Sequence, residues 1–72
     1  GIIFAEMQGT IMDTMTKQGK KVKKGDSLFV LEAMKMENVI TAPIDGVIKK
    51  INIEKGQPVK KGDLLIEIEA KF

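Results

Sequence analysis

Val22-Lys23-Lys24-Gly25-Asp26 and Val59-Lys60-Lys61-Gly62-Asp63 are the same five residues written twice, 37 positions apart. The same shift carries Gly19 onto Gly56, Leu28 onto Leu65 and Glu32-Ala33 onto Glu69-Ala70. Moving towards the amino terminus, it carries Ile11 onto Ile48, Gly9 onto Gly46, Ala5 onto Ala42 and Ile3 onto Ile40. The repeat therefore runs without a gap through nearly all of the chain. Stacked-repeat proteins need about three units before their shared core is stable. Two copies instead predict a pair of interlocked halves related by a pseudo-two-fold axis.

The local pattern within each copy is that of β-structure. Ser27 to Leu31, Val39 to Thr41, Val47 to Ile53 and Leu64 to Ile68 are short, rich in branched apolar residues and bounded by glycine, proline or aspartate. Ile51-Asn52-Ile53 and Ile66-Glu67-Ile68-Glu69 alternate apolar with polar, as strands with one buried face do. Gly25-Asp26 and Gly62-Asp63 supply turn chemistry, and Gly19 and Gly56 are read as turn glycines too. No segment sustains a 3.6-residue period, so no substantial helix is expected. Many short, evenly spaced strands predict a sandwich or flattened barrel. With 72 residues the chain is read as a single domain, 1–72, excised from or forming part of something larger.

Composition removes whole classes of chemistry. There is no cysteine and no histidine, which excludes a disulfide framework, a thiolate nucleophile, a Cys or His zinc site and a Ser-His-Asp relay. No metal ligands and no catalytic residues are assigned. The formal net charge is +2, but the lysines are scattered among acids, and the three phenylalanines are unaccompanied by tryptophan or tyrosine. That is not the basic, aromatic-studded surface of a nucleic-acid binder. No apolar run is long enough to insert in a bilayer, and the expected setting is the cytoplasm, or the mitochondrial matrix of a eukaryote. The paired lysines 23–24 and 60–61 recur at symmetric turns and are read as solvated. The turn glycines lack the spacing of a phosphate cradle.

Between the copies lies Leu31-Glu32-Ala33-Met34-Lys35-Met36-Glu37-Asn38. Strand-like residues flank it on both sides, so it reads as a hairpin with its tip near Met34-Lys35. Neither glycine nor proline marks the turn, and two methionines beside a lysine are unusual on an exposed loop. Surface methionine is adaptable and apolar, a composition suited to contact with a partner; the alternative reading of the pair is core filler, since in a strand both would lie on one face. Under the repeat Lys35 maps onto Phe72, so the equivalent hairpin of the other copy is open. The two termini are then expected at one end of the domain and Lys35 at the other. An ordinary lysine amine has a pKa of about 10.4 and is mostly protonated at neutral pH. Acylation there calls for a separate enzyme to supply the activated acid and the base, while this domain presents the amine.

Glu32-Ala33-Met34-Lys35-Met36-Glu37 resembles the attachment site of biotinyl domains, in which the lysine between two methionines is biotinylated. Ala42-Pro43-Ile44-Asp45-Gly46 resembles the segment that follows the hairpin in that family. The resemblance spans the chain and implies a flattened barrel of two four-stranded antiparallel sheets with biotin amide-linked to Lys35. It further implies a non-catalytic biotin carboxyl carrier within a biotin-dependent carboxylase or decarboxylase. Its partners would be a biotin protein ligase, a biotin carboxylase site and a carboxyltransferase site. Met34, Met36, Ala33 and Glu32 are the candidate ligase-recognition residues, although Glu32 has a counterpart, Glu69, away from any modification site. The family often carries Ala-Pro-Met-Pro-Gly near its start, where this chain has Ala5-Glu6-Met7-Gln8-Gly9, keeping the glycine expected to set a turn. The gapless repeat leaves no room for the protruding segment of the bacterial acetyl-CoA carboxylase carrier, which points to a pyruvate carboxylase, an acyl-CoA carboxylase or a decarboxylase complex as the parent. Two alternatives stay open: a lipoyl carrier, whose lysine usually sits in Asp-Lys-Ala, and an unmodified structural barrel-sandwich module.

Overall fold

The computed structural model describes residues 1–71, in which every regular element is a strand. The strands are β1 (Ile2–Phe4), β2 (Gly9–Thr14), β3 (Lys21–Val22), β4 (Ser27–Ala33), β5 (Met36–Thr41), β6 (Gly46–Ile51), β7 (Pro58–Val59) and β8 (Leu64–Ala70). They form two four-stranded antiparallel sheets, ordered β1-β8-β6-β3 and β5-β4-β2-β7. This is the barrel-sandwich architecture expected from the sequence.

Shifting β1 to β4 by one repeat yields β5 to β8, and the same operation turns one sheet order into the other. The register follows suit. Thr10 faces Glu32 and Ile11 faces Leu31 in one sheet; Val47 faces Glu69 and Ile48 faces Ile68 in the other. Even the irregularity is copied, with a bulge after Ile11 and another after Ile48. Each sheet draws two strands from each copy, so neither half closes a sheet alone.

The turns lock the halves reciprocally. The Gly25 amide donates to the Ala42 carbonyl and the Ala42 amide to the Asp26 carbonyl, both at 2.8 Å. In the other half the Gly62 amide donates to Ala5 at 2.8 Å and the Ala5 amide to Asp63 at 2.9 Å. Asp26 and Asp63 each accept, through Oδ2, the amide of the lysine three residues before them at 2.9 Å. Gly25 and Gly62 have φ of 96° and 92°, which explains the glycine at these positions.

The core between the sheets is built from paired positions of the repeat. Ile11 and Ile48, Val22 and Val59, Leu28 and Leu65, Phe29 and Ile66, Leu31 and Ile68, and Ala5 and Ala42 are all buried. No polar or charged residue is buried among the described residues. The symmetry lapses at Thr16, whose counterpart Ile53 joins the core. The Thr16 hydroxyl oxygen is enclosed without a hydrogen-bond partner.

Two expectations are revised. The strand expected over Val47 to Ile53 ends at Ile51, although the Asn52 amide still donates to the Leu65 carbonyl at 2.8 Å and Ile53 still buries its side chain in the core. Gly9 does not set a turn. It opens β2, where a Cβ would run into the Glu32 carbonyl oxygen, and at Gly46 a Cβ would run into that of Glu69. These are glycines of close backbone approach, a role invisible in the local sequence. The correspondence of Lys35 with Phe72 lies outside the described residues.

Two substitutions test this packing in opposite directions. Gly46→Ala should lower stability by about 3 kcal/mol, since the obstacle is backbone that cannot give way. Thr16→Val keeps the shape and removes the orphaned hydroxyl, and should raise stability by about 1 kcal/mol. Urea unfolding monitored by far-ultraviolet circular dichroism measures both.

Candidate functional site

The β4–β5 hairpin is the only case, among the described residues, in which strands consecutive in sequence are hydrogen-bonded neighbours. Ala33 pairs with Met36, leaving Met34 and Lys35 as a two-residue turn. Both have positive φ, 52° for Met34 and 65° for Lys35. This is the pattern of a type I′ turn, which suits the right-handed twist of a hairpin but favours Asn-Gly. A side chain in left-handed backbone costs roughly 1–2 kcal/mol per residue. The turn is therefore held by the strands rather than by its own sequence, and its residues answer to something other than turn stability.

Strand pairing anchors the hairpin firmly. β5 pairs with β4 along its length, and β4 is clamped from its other side by β2. Leu31 and Ala33 bury their side chains in the core and seat the turn's first arm. Asn38 adds a brace that sequence reasoning missed: its Nδ2 lies 3.4 Å from the carbonyl oxygens of Leu31 and Met36. Nothing in its local sequence marks it, because Leu31 becomes its neighbour only through the strand pairing.

Each residue singled out from the sequence can now be placed. Lys35 is exposed at the apex, and no hydrogen bond or ion pair among the described residues engages its Nζ. Met34 is 84 % exposed and Met36 66 %, so the alternative reading of the pair as core filler does not hold. Ala33 is 4 % exposed; its methyl group belongs to the core and reaches no partner directly. Glu32 is exposed on the outer face of the sheet, directly across from Glu37.

The pseudo-symmetry supplies an internal control for these side chains. Lys71 occupies the position equivalent to Met34, and its Nζ lies 3.1 Å from Oε1 of Glu69, the counterpart of Glu32. The hydrogen bond from Lys71 and its charge hold the Glu69 carboxyl below the usual carboxylate range. At the Lys35 end, methionine replaces that lysine and Glu32 has no ion-pair partner among the described residues. Packing does not demand a methionine here, since the same site in the other copy accepts a charged chain.

The apex and the described carboxyl-terminal residues lie at opposite ends of the hairpin's length. Asp45 accepts the Lys24 amide through Oδ1 at 2.8 Å, while its carbonyl receives the Lys71 amide at 3.4 Å. Lys71 thus sits beside the turn that begins β4, and Lys35 lies beyond the strand's far end. The amino-terminal amine is held at 2.7 Å by the Ile68 carbonyl, next to the same terminal segment. A shallow, open groove bordered by Gln8, Thr10, Glu32 and Pro58 runs beside Lys35. Lys60 and Asp63 border the same groove, which stays open to solvent, and no group of three or more His, Cys, Asp or Glu side chains placed to hold a metal occurs among the described residues. Chemically the site offers one accessible primary amine on a rigid mount, and an acyl group joined to that amine meets no covering residue.

Comparison with known proteins matches this geometry. Residues 3–68 match the family described as Biotin-requiring enzyme. Pyruvate carboxylase of Schizosaccharomyces pombe is 56 % identical over 41 residues, which cover 57 % of this chain and 4 % of that protein. The biotin carboxyl carrier protein of acetyl-CoA carboxylase from Solanum lycopersicum is 46 % identical over 43 residues, covering 60 % of this chain and 61 % of that one. Among solved structures, urea carboxylase of Kluyveromyces lactis superposes with a TM-score of 0.86 at 32 % identity, covering 96 % of this chain and 6 % of that one. A single-chain, multi-domain long-chain acyl-CoA carboxylase gives a TM-score of 0.84 at 33 % identity, over 92 % of this chain and 7 % of that one. The chain thus spans only a small part of the multi-domain proteins it resembles.

If the turn is strained for the sake of what it displays, relieving the strain should show. Met34→Asn, with a residue that tolerates left-handed backbone, should raise stability by about 1 kcal/mol, roughly 4–8 °C in melting temperature for a domain this size. Differential scanning calorimetry measures it; an unchanged or lower melting temperature would mean that the turn is relaxed as it stands.

Proposed function

The chain belongs to the family of biotin-requiring enzymes as a biotin carboxyl carrier domain, and from that premise we propose that Lys35 is its attachment site. The observation that carries the assignment is the apex itself. An unencumbered lysine stands on a two-residue turn in left-handed backbone, flanked by two methionines that the fold leaves in solvent. The cofactor is biotin. Bound there through an amide, it supplies a site that accepts and releases carboxylate.

The chain's own part is presentation. In the modification step a biotin protein ligase supplies biotin with its carboxyl group activated. The Lys35 Nζ, having given up a proton to the ligase, attacks the carboxyl carbon; the C–N bond forms as the activating group leaves. Met34 and Met36 offer the ligase an apolar surface on either side of the amine, and Glu32 a carboxylate on the adjoining face. Ala33 contributes by seating the turn. Afterwards the rigid hairpin projects the arm away from the termini, so that a biotin carboxylase site and a carboxyltransferase site can be visited in turn. A pyruvate carboxylase-like, acyl-CoA carboxylase or decarboxylase parent supplies the sites it visits in this reading. The proposed setting is the cytoplasm, or the mitochondrial matrix of a eukaryote.

Intact-mass measurement after incubation with a biotin ligase, ATP and biotin, followed by peptide mapping, tests the attachment site. One biotinyl addition confined to Lys35 is expected, and none on Lys35→Arg, whose guanidinium offers no acylable amine in an unchanged fold. Addition at another lysine, or addition only by a lipoate ligase, would overturn the assignment. Met34→Ala and Met36→Ala should slow modification about tenfold, a loss of about 1.4 kcal/mol in the barrier. Their folding stability should stay within about 0.5 kcal/mol, since both side chains lie in solvent.

A further inference from the structure

We propose that Met34 and Met36 are sites of reversible sulfoxidation by peroxide, and that their oxidation switches off loading of Lys35. The inference rests on the reading of Lys35 as the acylated amine. It begins from an unusual restriction in the composition. With no cysteine, histidine, tryptophan or tyrosine in the chain, the five methionine thioethers are the side chains open to two-electron oxidation by a peroxide.

Exposure ranks those five. Met34 and Met36 are 84 % and 66 % exposed, against 39 % for Met7 and 37 % for both Met12 and Met15. Oxidation requires the oxidant to reach the sulfur, so the two residues beside Lys35 should react first. The other three serve as internal references within one molecule.

The chemistry is self-contained. A sulfur lone pair attacks one peroxide oxygen and the O–O bond breaks. The sulfur is oxidised to a sulfoxide, and the peroxide is reduced, its second oxygen leaving as water. A thiol-dependent methionine sulfoxide reductase reverses the change, two thiols becoming a disulfide as the oxygen departs in water.

Position gives the modification its effect. Sulfoxidation converts an adaptable apolar chain into a polar, chiral one. At Met34 and Met36 this happens on both sides of the amine, on the apolar surface presented to the ligase. Neither side chain enters the core, and the Met34 position takes a lysine in the other copy, so the fold tolerates the added polarity. The oxidised domain remains folded and loses its acceptor function.

The test treats the 72-residue chain with graded hydrogen peroxide, maps sulfoxides by mass spectrometry, and then measures biotinylation by a biotin ligase. Met34 and Met36 should be oxidised before Met7, Met12 and Met15. Biotinylation of Lys35 should fall at least tenfold at an unchanged melting temperature, and reductase treatment should restore it. The Met34→Leu/Met36→Leu double variant should keep its own biotinylation rate through the same treatment. Earlier oxidation of the other three methionines, an undiminished rate on the doubly oxidised chain, or a loss that the leucine variant shares would overturn the switch. Failure of the untreated chain to accept biotin would instead sink the assignment of Lys35 on which the switch depends.

Discussion

The interlocking of the two copies is the constraint on which everything else in this domain depends. Each sheet takes two strands from each half, and each glycine–aspartate turn is closed by the alanine of the other half. A half-chain would expose the unpaired strand edges and apolar faces that its partner covers. Only the joined pair buries the paired isoleucines, valines and leucines. That reciprocity lets so small a core hold without disulfides.

The same constraint decides where an arm can be mounted. In an interlocked pair most neighbouring strands come from distant parts of the chain, and among the described residues only the junction between copies returns directly as a tight hairpin. The β4–β5 turn is that junction. Its strands are pinned by β2 and by the buried Leu31 and Ala33, so the tip can carry residues ill-suited to a type I′ turn. Strain absorbed by the sheet allows Met34 and Lys35 to be chosen for what they present.

Departures from symmetry then mark function more sharply than the shared pattern does. Where the copies agree, as at Gly25 and Gly62 or Ile11 and Ile48, the residues serve turns and core. Met34 in place of Lys71 strips a charge and an ion pair from the surface beside the amine and leaves a thioether in solvent. Thr16 in place of Ile53 is a departure of another kind, a flaw in the packing.

The chain's amino-acid order by itself determined the repeat, the strands, the turn glycines at Gly19, Gly25, Gly56 and Gly62, and the prominence of Lys35 between its methionines. These are local or periodic signals: branched residues, turn chemistry and an exact translation of residue types are all visible without knowing what touches what. Only the tertiary structure decided the role of Gly9 and Gly46, the brace from Asn38, the core position of Ala33 and the left-handed backbone at Met34 and Lys35. Each depends on a neighbour brought up by strand pairing from another part of the chain, and spacing along the sequence carries no record of that distance. Whether the methionines were core or surface belonged to the same class, because alternation assigns two side chains to one face only while both lie in a strand, and Met34 lies in the turn.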